Sequence, residues 1–246
     1  LSELESSVVG AQLGSQAIAS SLKAGAIGLA IVMVFMIVMY AVPGIAASLA
    51  LAIYTTLVIA TLYLFDITLT LPGIAGIILG IGMAVDANVI VFARIREEIA
   101  TGKSVQTSMK IGFQKAMSAI LDGNITTLIA SVVLMALGSG TVKGFAYTLM
   151  IGIILSLFTA MVVTRYILYS LYALGLKSEK LYGRAKERKS IDFIGKKAVF
   201  FTISGIIIAA GLISMGVHSA TEGKALNYGL DFIGGTSTTA DFGKDM

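Results

Sequence analysis

Asp86 has the clearest potential for chemistry, because it is the only ionisable residue in the apolar stretch 71–93. At about 1.5 Å per residue, a helix of this length crosses the roughly 30 Å hydrocarbon core of a membrane. A charge at that depth costs at least about 2.5 kcal/mol, so Asp86 needs a partner, a proton or a path to water. Ionisable residues in such positions usually mark an ion path, which makes Asp86 a candidate proton-path residue.

The residues that share the Asp86 face of this helix are mostly small. They are Ala75, Leu79, Gly82, Ile90 and Ala93. Small residues let neighbouring helices approach closely, so we expect another helix beside the carboxyl group. Gly76 and Gly80 of GIILG also match the GxxxG pattern of helix contacts.

Asp122 is the second candidate, within the apolar sequence AILDGNITTLIASVVLMALG. At about 1.5 Å per residue, Asp86 lies about 6 Å and Asp122 about 9 Å from the midpoint of its own span, in each case toward the inside of the cell. The carboxyls have this similar depth although the two helices are expected to run in opposite directions. This similar depth predicts a shared polar pocket in the inner half of the membrane. The alternative is that Asp122 lies near the membrane interface.

Neutral polar residues accompany both aspartates: Asn88, Asn124, Thr126 and Thr127. Their amides and hydroxyls could hold water, but we favour the interpretation that they join helices, at roughly 0.6 kcal/mol per hydrogen bond. The charge run that follows the third span contains Arg94, Arg96, Glu97 and Glu98. Its simplest interpretation is a solvated helix end that anchors the span.

The composition predicts an all-α, polytopic transmembrane helical bundle. The chain is 57% hydrophobic and 13% charged, with a mean hydropathy of +0.91. Cysteine is absent and there is one histidine, which excludes disulfides, cysteine metal sites and histidine metal clusters. No phosphate loop or nucleophile–base pair is visible, so we expect no enzyme, no cofactor, no metal and no nucleic-acid partner.

Apolar runs predict six spans, at 22–42, 45–65, 71–93, 119–137, 145–172 and 197–217. Pro43-Gly44 is predicted to form a tight turn between the first two. The connections are predicted as a basic loop at 94–118, a short loop at 138–144 and a basic linker at 173–196.

The basic residues predict the orientation. With the amino end outside, only four of the 18 lie outside: Lys23, Lys143, Lys224 and Lys244. The positive-inside rule then places 94–118 and 173–196 in the cytoplasm. Because nothing in 1–21 resembles a signal peptide and the chain stops soon after a glycine-rich segment, we expect it to be part of a longer protein.

Several stretches resemble the SecD protein-export subunits. LPGIAGIILGIGMAVDANVIVFARIREE at 71–98 is similar to their fourth transmembrane helix, and ILDGNITTLIA at 120–130 to their fifth. Residues 138–165 resemble the following loop and sixth helix, and residues 9–40 the second helix. Ala93 departs from the family, which often has glutamate at this position.

The end of the chain resembles the beginning of SecF, through IDFIGKK at 191–197 and LNYGLDFIGGT at 226–236. The resemblance therefore implies the junction of a fused SecD–SecF chain. Its predicted parts are an external lead-in (1–21), a SecD-like five-helix bundle (22–172), a basic cytoplasmic linker (173–196), the first SecF-like helix (197–217) and the start of a SecF-like external domain (218–246).

This resemblance implies a member of the resistance-nodulation-division superfamily in the bacterial cytoplasmic membrane. It implies an accessory component of the Sec translocase that uses the proton motive force to promote protein export. The partners it implies are the SecYEG channel, then SecA and YajC, together with unfolded secreted proteins and the lipid bilayer. In the family the aspartate of GMAVDAN, here Asp86, is the proton-path residue, and the DGNITT sequence supplies Asp122 and its polar companions.

Two other classes of function stay open. One is a scaffold that stabilises the translocon without protons, in which case both aspartates would tolerate neutral replacement. The other is a small-molecule exporter of the same superfamily, which would need a substrate pocket in external domains.

Overall fold

A computed structural model of the chain describes residues 11–183, 194–223 and 226, and their regular secondary structure is entirely helical. The helices are α1 (Ala11–Tyr40), α2 (Val42–Leu64), α3 (Leu71–Ala100), α4 (Val105–Leu137), α5 (Gly140–Phe158), a π-helical segment (Thr159–Val163), α6 (Thr164–Ala173), α7 (Glu179–Tyr182) and α8 (Lys197–Glu222).

Six helical segments of the described part are long and apolar enough to cross a membrane. This confirms the prediction of an all-α bundle with six spans. The chain divides into two compact units, Leu1–Lys186 and Glu187–Met246. The first contains α1 to α7, and the second contains α8, which ends at Gly223 in the left-handed conformation.

The third span is the central helix of the first unit. α3 contacts α1, α2, α4 and α5, and half of its most apolar window is buried. α1 is peripheral, because it packs on α2 and α3 and exposes most of its apolar side chains. A membrane helix can do this without penalty, since lipid tails are as apolar as its side chains.

The junction of the first two spans differs from the predicted tight turn at Pro43-Gly44. Ala41 alone separates α1 from α2, with a φ of 49°. Pro43 lies in the first turn of α2, where a backbone N–H has no helical partner. Gly44 packs against the carbonyl of Met36, where a Cβ atom has no room. The Pro-Gly pair therefore begins the second span.

The predicted basic loop at 94–118 is also wrong, because most of it is helical. α3 continues to Ala100 and α4 begins at Val105, since arginine, glutamate and lysine are good helix formers. Gly102, at φ 85°, turns the chain, and the Ser104 hydroxyl accepts a 3.4 Å hydrogen bond from the Thr107 N–H to cap α4. The next loop is shorter than predicted too, since α5 begins at Gly140.

The fifth span is interrupted by the π-helical segment, which the sequence did not predict. Its first residue, Thr159, donates its hydroxyl to the carbonyl oxygens of Leu155 (2.9 Å) and Ser156 (3.1 Å). Helical residues thus run without a gap from 140 to 173.

The predicted domain limits stay predictions. Residues 11–21 of the predicted lead-in belong to α1, and 179–182 of the predicted linker form α7. Residues 1–10, 184–193, 224–225 and 227–246 lie outside the described residues, so most of the predicted SecF-like external segment lies outside them too.

Candidate functional site

One face of α3 is built from glycines and packs on its neighbours. A Cβ atom on Gly76 would lie 2.5 Å from the hydroxyl oxygen of Thr148 on α5. A Cβ atom on Gly80 would collide with the hydroxyl of Tyr54, which comes from α2. Glycine is therefore required for this close approach, which confirms the helix contact predicted from GIILG.

Asp86 lies on a different face of α3, about 80° around the helix axis from Gly76 and about 120° from Gly80. All of its predicted face mates are exposed except Ile90, which is half-buried; the exposed ones are Ala75, Leu79, Gly82 and Ala93. Among the described residues, none hydrogen bonds to or forms an ion pair with the Asp86 carboxylate. We call this stripe the Asp86 face; its residues are Ala75, Leu79, Gly82, Asp86, Ile90 and Ala93. Within the first unit it is largely exposed.

Asp122 is exposed on α4, where the hydroxyl of Ser118 donates a 3.3 Å hydrogen bond to its carboxylate. This contact lies within one helix. No described hydrogen bond or ion pair links Asp122 to Asp86, so the shared pocket stays a prediction.

Asn88, two residues after Asp86, is 3% exposed. Its side-chain N–H donates to the carbonyl of Ala84 at 3.2 Å, within α3. Its amide oxygen is buried and has no hydrogen-bond donor among the described residues. A buried acceptor without a donor is rare and is costly to keep.

The polar residues after Asp122 also bond within their own helix. Asn124 donates to the carbonyl of Ile120 at 2.7 Å, while Thr126 and Thr127 donate to the carbonyl of Gly123 at 2.9 and 3.4 Å. The described contacts therefore do not use these side chains to join helices. Of the two threonines, Thr126 shares the Asp122 side of α4, because it lies four residues further along the helix.

A buried carboxylate at the end of α3 was not identified from the sequence. Glu98 is 4% exposed and forms ion pairs with Lys103, in the α3–α4 connection, and with Lys115 of α4, the latter at 2.6 Å. The predicted solvated helix end is therefore right only for Arg94 and Glu97, whose 2.7 Å ion pair is about half exposed on both sides. Glu98 instead fastens the α3–α4 hairpin.

Arg96 joins three helices at the same end of the bundle. Its guanidinium lies 4.4 Å from the centre of the Tyr40 ring and donates to the carbonyl of Met39, both at the end of α1. It also donates to the carbonyl of Tyr182 in α7, at 3.4 Å. Gly183 follows with a φ of 76°, and a Cβ atom there would lie 2.7 Å from Arg96 Nε.

The short helix α7 is held by its own buried tyrosine. Tyr182 is fully buried and its hydroxyl donates to the carbonyl of Leu176 at 2.9 Å. Burial raises the pKa of Tyr182 to about 12, because the phenolate would lose its hydration. Among the described residues, no three histidine or acidic side chains are placed to hold a metal ion.

Comparison with known proteins gives consistent results. Residues 1–173 match the family described as protein export membrane protein SecD/SecF, C-terminal. The chain is 54% identical over 165 residues to the protein translocase subunit SecD of Synechocystis, covering 67% of this chain and 35% of the relative. It is 38% identical over 257 residues to the protein translocase subunit SecDF of Bacillus subtilis, covering 96% of this chain and 34% of the relative.

A solved structure agrees with these matches. The crystal structure of SecDF from Thermus thermophilus, a translocon-associated membrane protein, aligns with a TM-score of 0.79 and 33% identity, over 93% of this chain and 31% of that one. The chain thus spans about a third of the length of these three proteins. Together with the helical bundle and its apolar spans, these matches confirm the resemblance, and the chain belongs to the SecD/SecF family of protein export membrane proteins.

Proposed function

We propose that this chain is part of an accessory subunit of the Sec protein translocase, which uses the proton motive force to promote export, and that Asp86 binds the proton. The observation that carries the proposal is the exposed Asp86 face, which differs from the face of α3 on which Gly76 and Gly80 pack against other helices. The relatives are named protein translocase subunits, which supports the Sec assignment. The longer SecDF match supports the interpretation of residues 197–246 as the start of a SecF-like half that follows the linker 173–196.

The Asp86 face is suited to a second helix bundle. A carboxylate facing lipid in mid-membrane costs at least about 2.5 kcal/mol, so a partner helix, a proton or water must compensate for it. The small residues on this face allow a partner to approach closely. In our proposal this partner belongs to the SecF-like half of the full-length protein.

Protonation would then act as a switch. When Asp86 is charged, it favours a helix packing that places a cationic side chain or water beside it. When Asp86 is neutral, it favours a helix packing that excludes water. A membrane potential supplies about 2.3 kcal/mol per charge per 100 mV, enough to bias two such states when several protons pass. Asp122, with Ser118 beside it, is the proposed second proton-path residue, and Asn88, Asn124, Thr126 and Thr127 are its proposed polar companions.

The proposed topology places the end of the bundle that contains Glu98 and Arg96 in the cytoplasm. The basic residues of 94–118 and 173–196 support this through the positive-inside rule. The proposed location is the bacterial cytoplasmic membrane, with SecYEG, SecA and YajC as partners and unfolded secreted proteins as cargo. The amino end of the chain then lies outside.

The test is export of a model secreted protein into membrane vesicles that contain the full-length fused chain. Asp86→Asn keeps the side-chain shape and removes the charge, so we expect loss of the gradient-dependent part of export at normal protein levels. Glu97→Gln is the matched control, because it neutralises an exposed carboxylate of the same helix and should change nothing.

Unchanged gradient-dependent export by Asp86→Asn would contradict the proton role and favour the scaffold. The same vesicles without a gradient separate the two functions, since a scaffold would support export equally in both conditions.

A further inference from the structure

Two adjoining cavities lie at the end of the bundle opposite Glu98, and both are lined by Asp66. The first is a groove of about 570 Å³ between α1, α2 and α3, lined mainly by aliphatic side chains such as Leu22, Ile59 and Ile78. Of the described residues that line it, Asp66 is the one that carries a charge. The groove volume lies within the range of about 300–1,000 Å³ that is usual for small-molecule sites.

The second cavity, of about 740 Å³, lies between the α2–α3 connection and the start of α5. Its described lining includes two charged residues, Asp66 and Lys143. Asp66 thus stands where an apolar groove meets a cavity that offers one negative and one positive side chain. A zwitterion with an attached apolar chain complements this arrangement.

Asp66 occupies a backbone position that glycine normally takes. The N–H groups of Asp66 and Ile67 donate to the carbonyls of Tyr63 (3.3 Å) and Leu62 (3.0 Å), which is a Schellman motif with Asp66 at the left-handed position, φ 49°. Its carboxylate also stands at the negative end of the α2 dipole. Aspartate tolerates this left-handed position, but its charge at the negative end of the dipole is unfavourable for the fold, and this points to another role for the residue.

Exposed aromatic side chains place Asp66 at the membrane surface. Tyr63 is 89% and Phe65 is 69% exposed, directly before Asp66. Tyrosine and other aromatic residues concentrate at the level of lipid headgroups. The groove therefore runs from headgroup depth into the acyl-chain region, where membrane lipid has direct access.

We propose that this groove binds a phospholipid with a primary ammonium headgroup, of the phosphatidylethanolamine class. The ammonium pairs with the Asp66 carboxylate, the phosphate is attracted to Lys143, and one acyl chain fills the groove between α1, α2 and α3. An apolar transmembrane helix offers no charged group to Asp66 and Lys143, whereas a zwitterionic headgroup offers one of each sign. This site goes beyond the proposed proton path and shares no residue with it.

The test reconstitutes the full-length protein in lipid discs and counts retained lipids by native mass spectrometry. The probes are phosphatidylethanolamine, phosphatidylglycerol and phosphatidylcholine with identical acyl chains. We expect at least tenfold preferential retention of phosphatidylethanolamine, because phosphatidylglycerol has no ammonium and the quaternary ammonium of phosphatidylcholine cannot donate a hydrogen bond.

Two variants address the headgroup and the acyl chain separately. Asp66→Asn should abolish the headgroup preference. Gly25→Phe should prevent retention of any probe, because Gly25 lines the groove and its Cβ has ordinary contact distances, the nearest being 3.5 Å to Ile78. Glu179→Gln, an exposed carboxylate of α7, and Gly28→Phe, whose Cβ has open space within 4 Å, are the matched controls and should bind as the wild type.

The proposal is overturned if Asp66→Asn keeps the preference, if Gly25→Phe retains as much lipid as Gly28→Phe, or if the wild type retains the three probes equally. Failure of the wild type to retain any probe would mean that another segment of the full chain fills the groove, and would also overturn it. The unfolding midpoint of each variant, measured in parallel, identifies losses that come from misfolding.

Discussion

The carboxylates of the bundle differ sharply in what surrounds them. Glu98 is buried between two lysine ammonium groups, and Asp122 accepts one hydroxyl from its own helix. Asp86 has no partner among the described residues although it lies in the middle of a span. No described contact therefore uses the Asp86 carboxylate to hold the bundle together, and this supports the proton role that we propose for it.

Ala41 and Gly44 allow a test of the single-residue connection between α1 and α2. Ala41 has a φ of 49° and a ψ of −116°, a region that only glycine enters readily. We expect Ala41→Gly to raise the free energy of unfolding by about 1 kcal/mol. Gly44→Ala should lower it by about 3 kcal/mol, because the added methyl meets the backbone of Met36.

Denaturant unfolding of the full-length protein in detergent measures both changes. A destabilised Ala41→Gly variant, or a neutral Gly44→Ala variant, would contradict the described junction.

At the scale of helices, Arg96 and Glu98 fasten the same end of the bundle in different directions. Glu98 connects α3 to α4 through two ion pairs. Arg96 connects α3 to the last turn of α1 and to α7. The carbonyls at the end of α1 lack helical partners, and a guanidinium there also matches the helix dipole.

Arg96→Lys should lower the free energy of unfolding by about 2 kcal/mol, because an ammonium group cannot stack on Tyr40 and reach both carbonyls at once. The same change should speed amide hydrogen exchange at 37–41 and 177–183. Arg94→Lys is the control on the same helix, since its exposed ion pair contributes at most about 1 kcal/mol. Equal effects of the two substitutions would contradict the role of Arg96.

The sequence predicted those features that depend on composition along one helix. Apolar runs identified the six spans, and GIILG identified a helix contact, because both follow from length and local spacing. The partners of Arg96 and Glu98 could not be predicted from the charge run 94–98 itself. These partners are Tyr40, Lys115 and Tyr182, which lie on other helices. Arg96 and Glu98 could have been suspected from their neighbours, because the buried Ile95 and Ile99 continue the apolar face of α3 beyond the predicted span 71–93.

At the scale of the whole molecule, α3 has one face covered by α2 and α5 and one face that the described chain leaves open. In the proposed full-length arrangement the second bundle covers the Asp86 face. We do not expect the second bundle to cover the peripheral helix α1, so the exposed side chains of α1 should contact lipid.

Spin labels can test this difference, because the chain has no cysteine and single cysteines can be introduced cleanly. A label at Leu79→Cys, on the Asp86 face, should be shielded from dissolved oxygen in the full-length protein. A label at Ile31→Cys on α1 should stay accessible, although both residues are comparably exposed here, at 51% and 63%. Equal accessibility of the two labels would mean that no second bundle covers the Asp86 face.

The π-helical segment has a consequence for the rotational phase of the fifth span. Leu149 in α5 and Leu168 in α6 are both buried. In an uninterrupted α-helix, nineteen steps of about 100° would leave Leu168 about 100° away from the direction of Leu149. The π-helical segment accommodates one additional residue, so Leu149 and Leu168 point in the same direction from the helix axis.

Deleting Val162, an exposed residue of the π-helical segment, should therefore convert the segment to regular α-helix and leave both buried faces aligned. Deleting Ile154, which is exposed in α5, should rotate the two halves apart and prevent normal accumulation in the membrane. Quantifying the membrane level of both deletion variants of the full-length protein distinguishes them, and equal loss would refute the phase argument. The fifth span thus contains one residue more than a regular α-helix would need to align its buried faces. The π-helical segment accommodates this residue, so the two ends of the span keep their orientation.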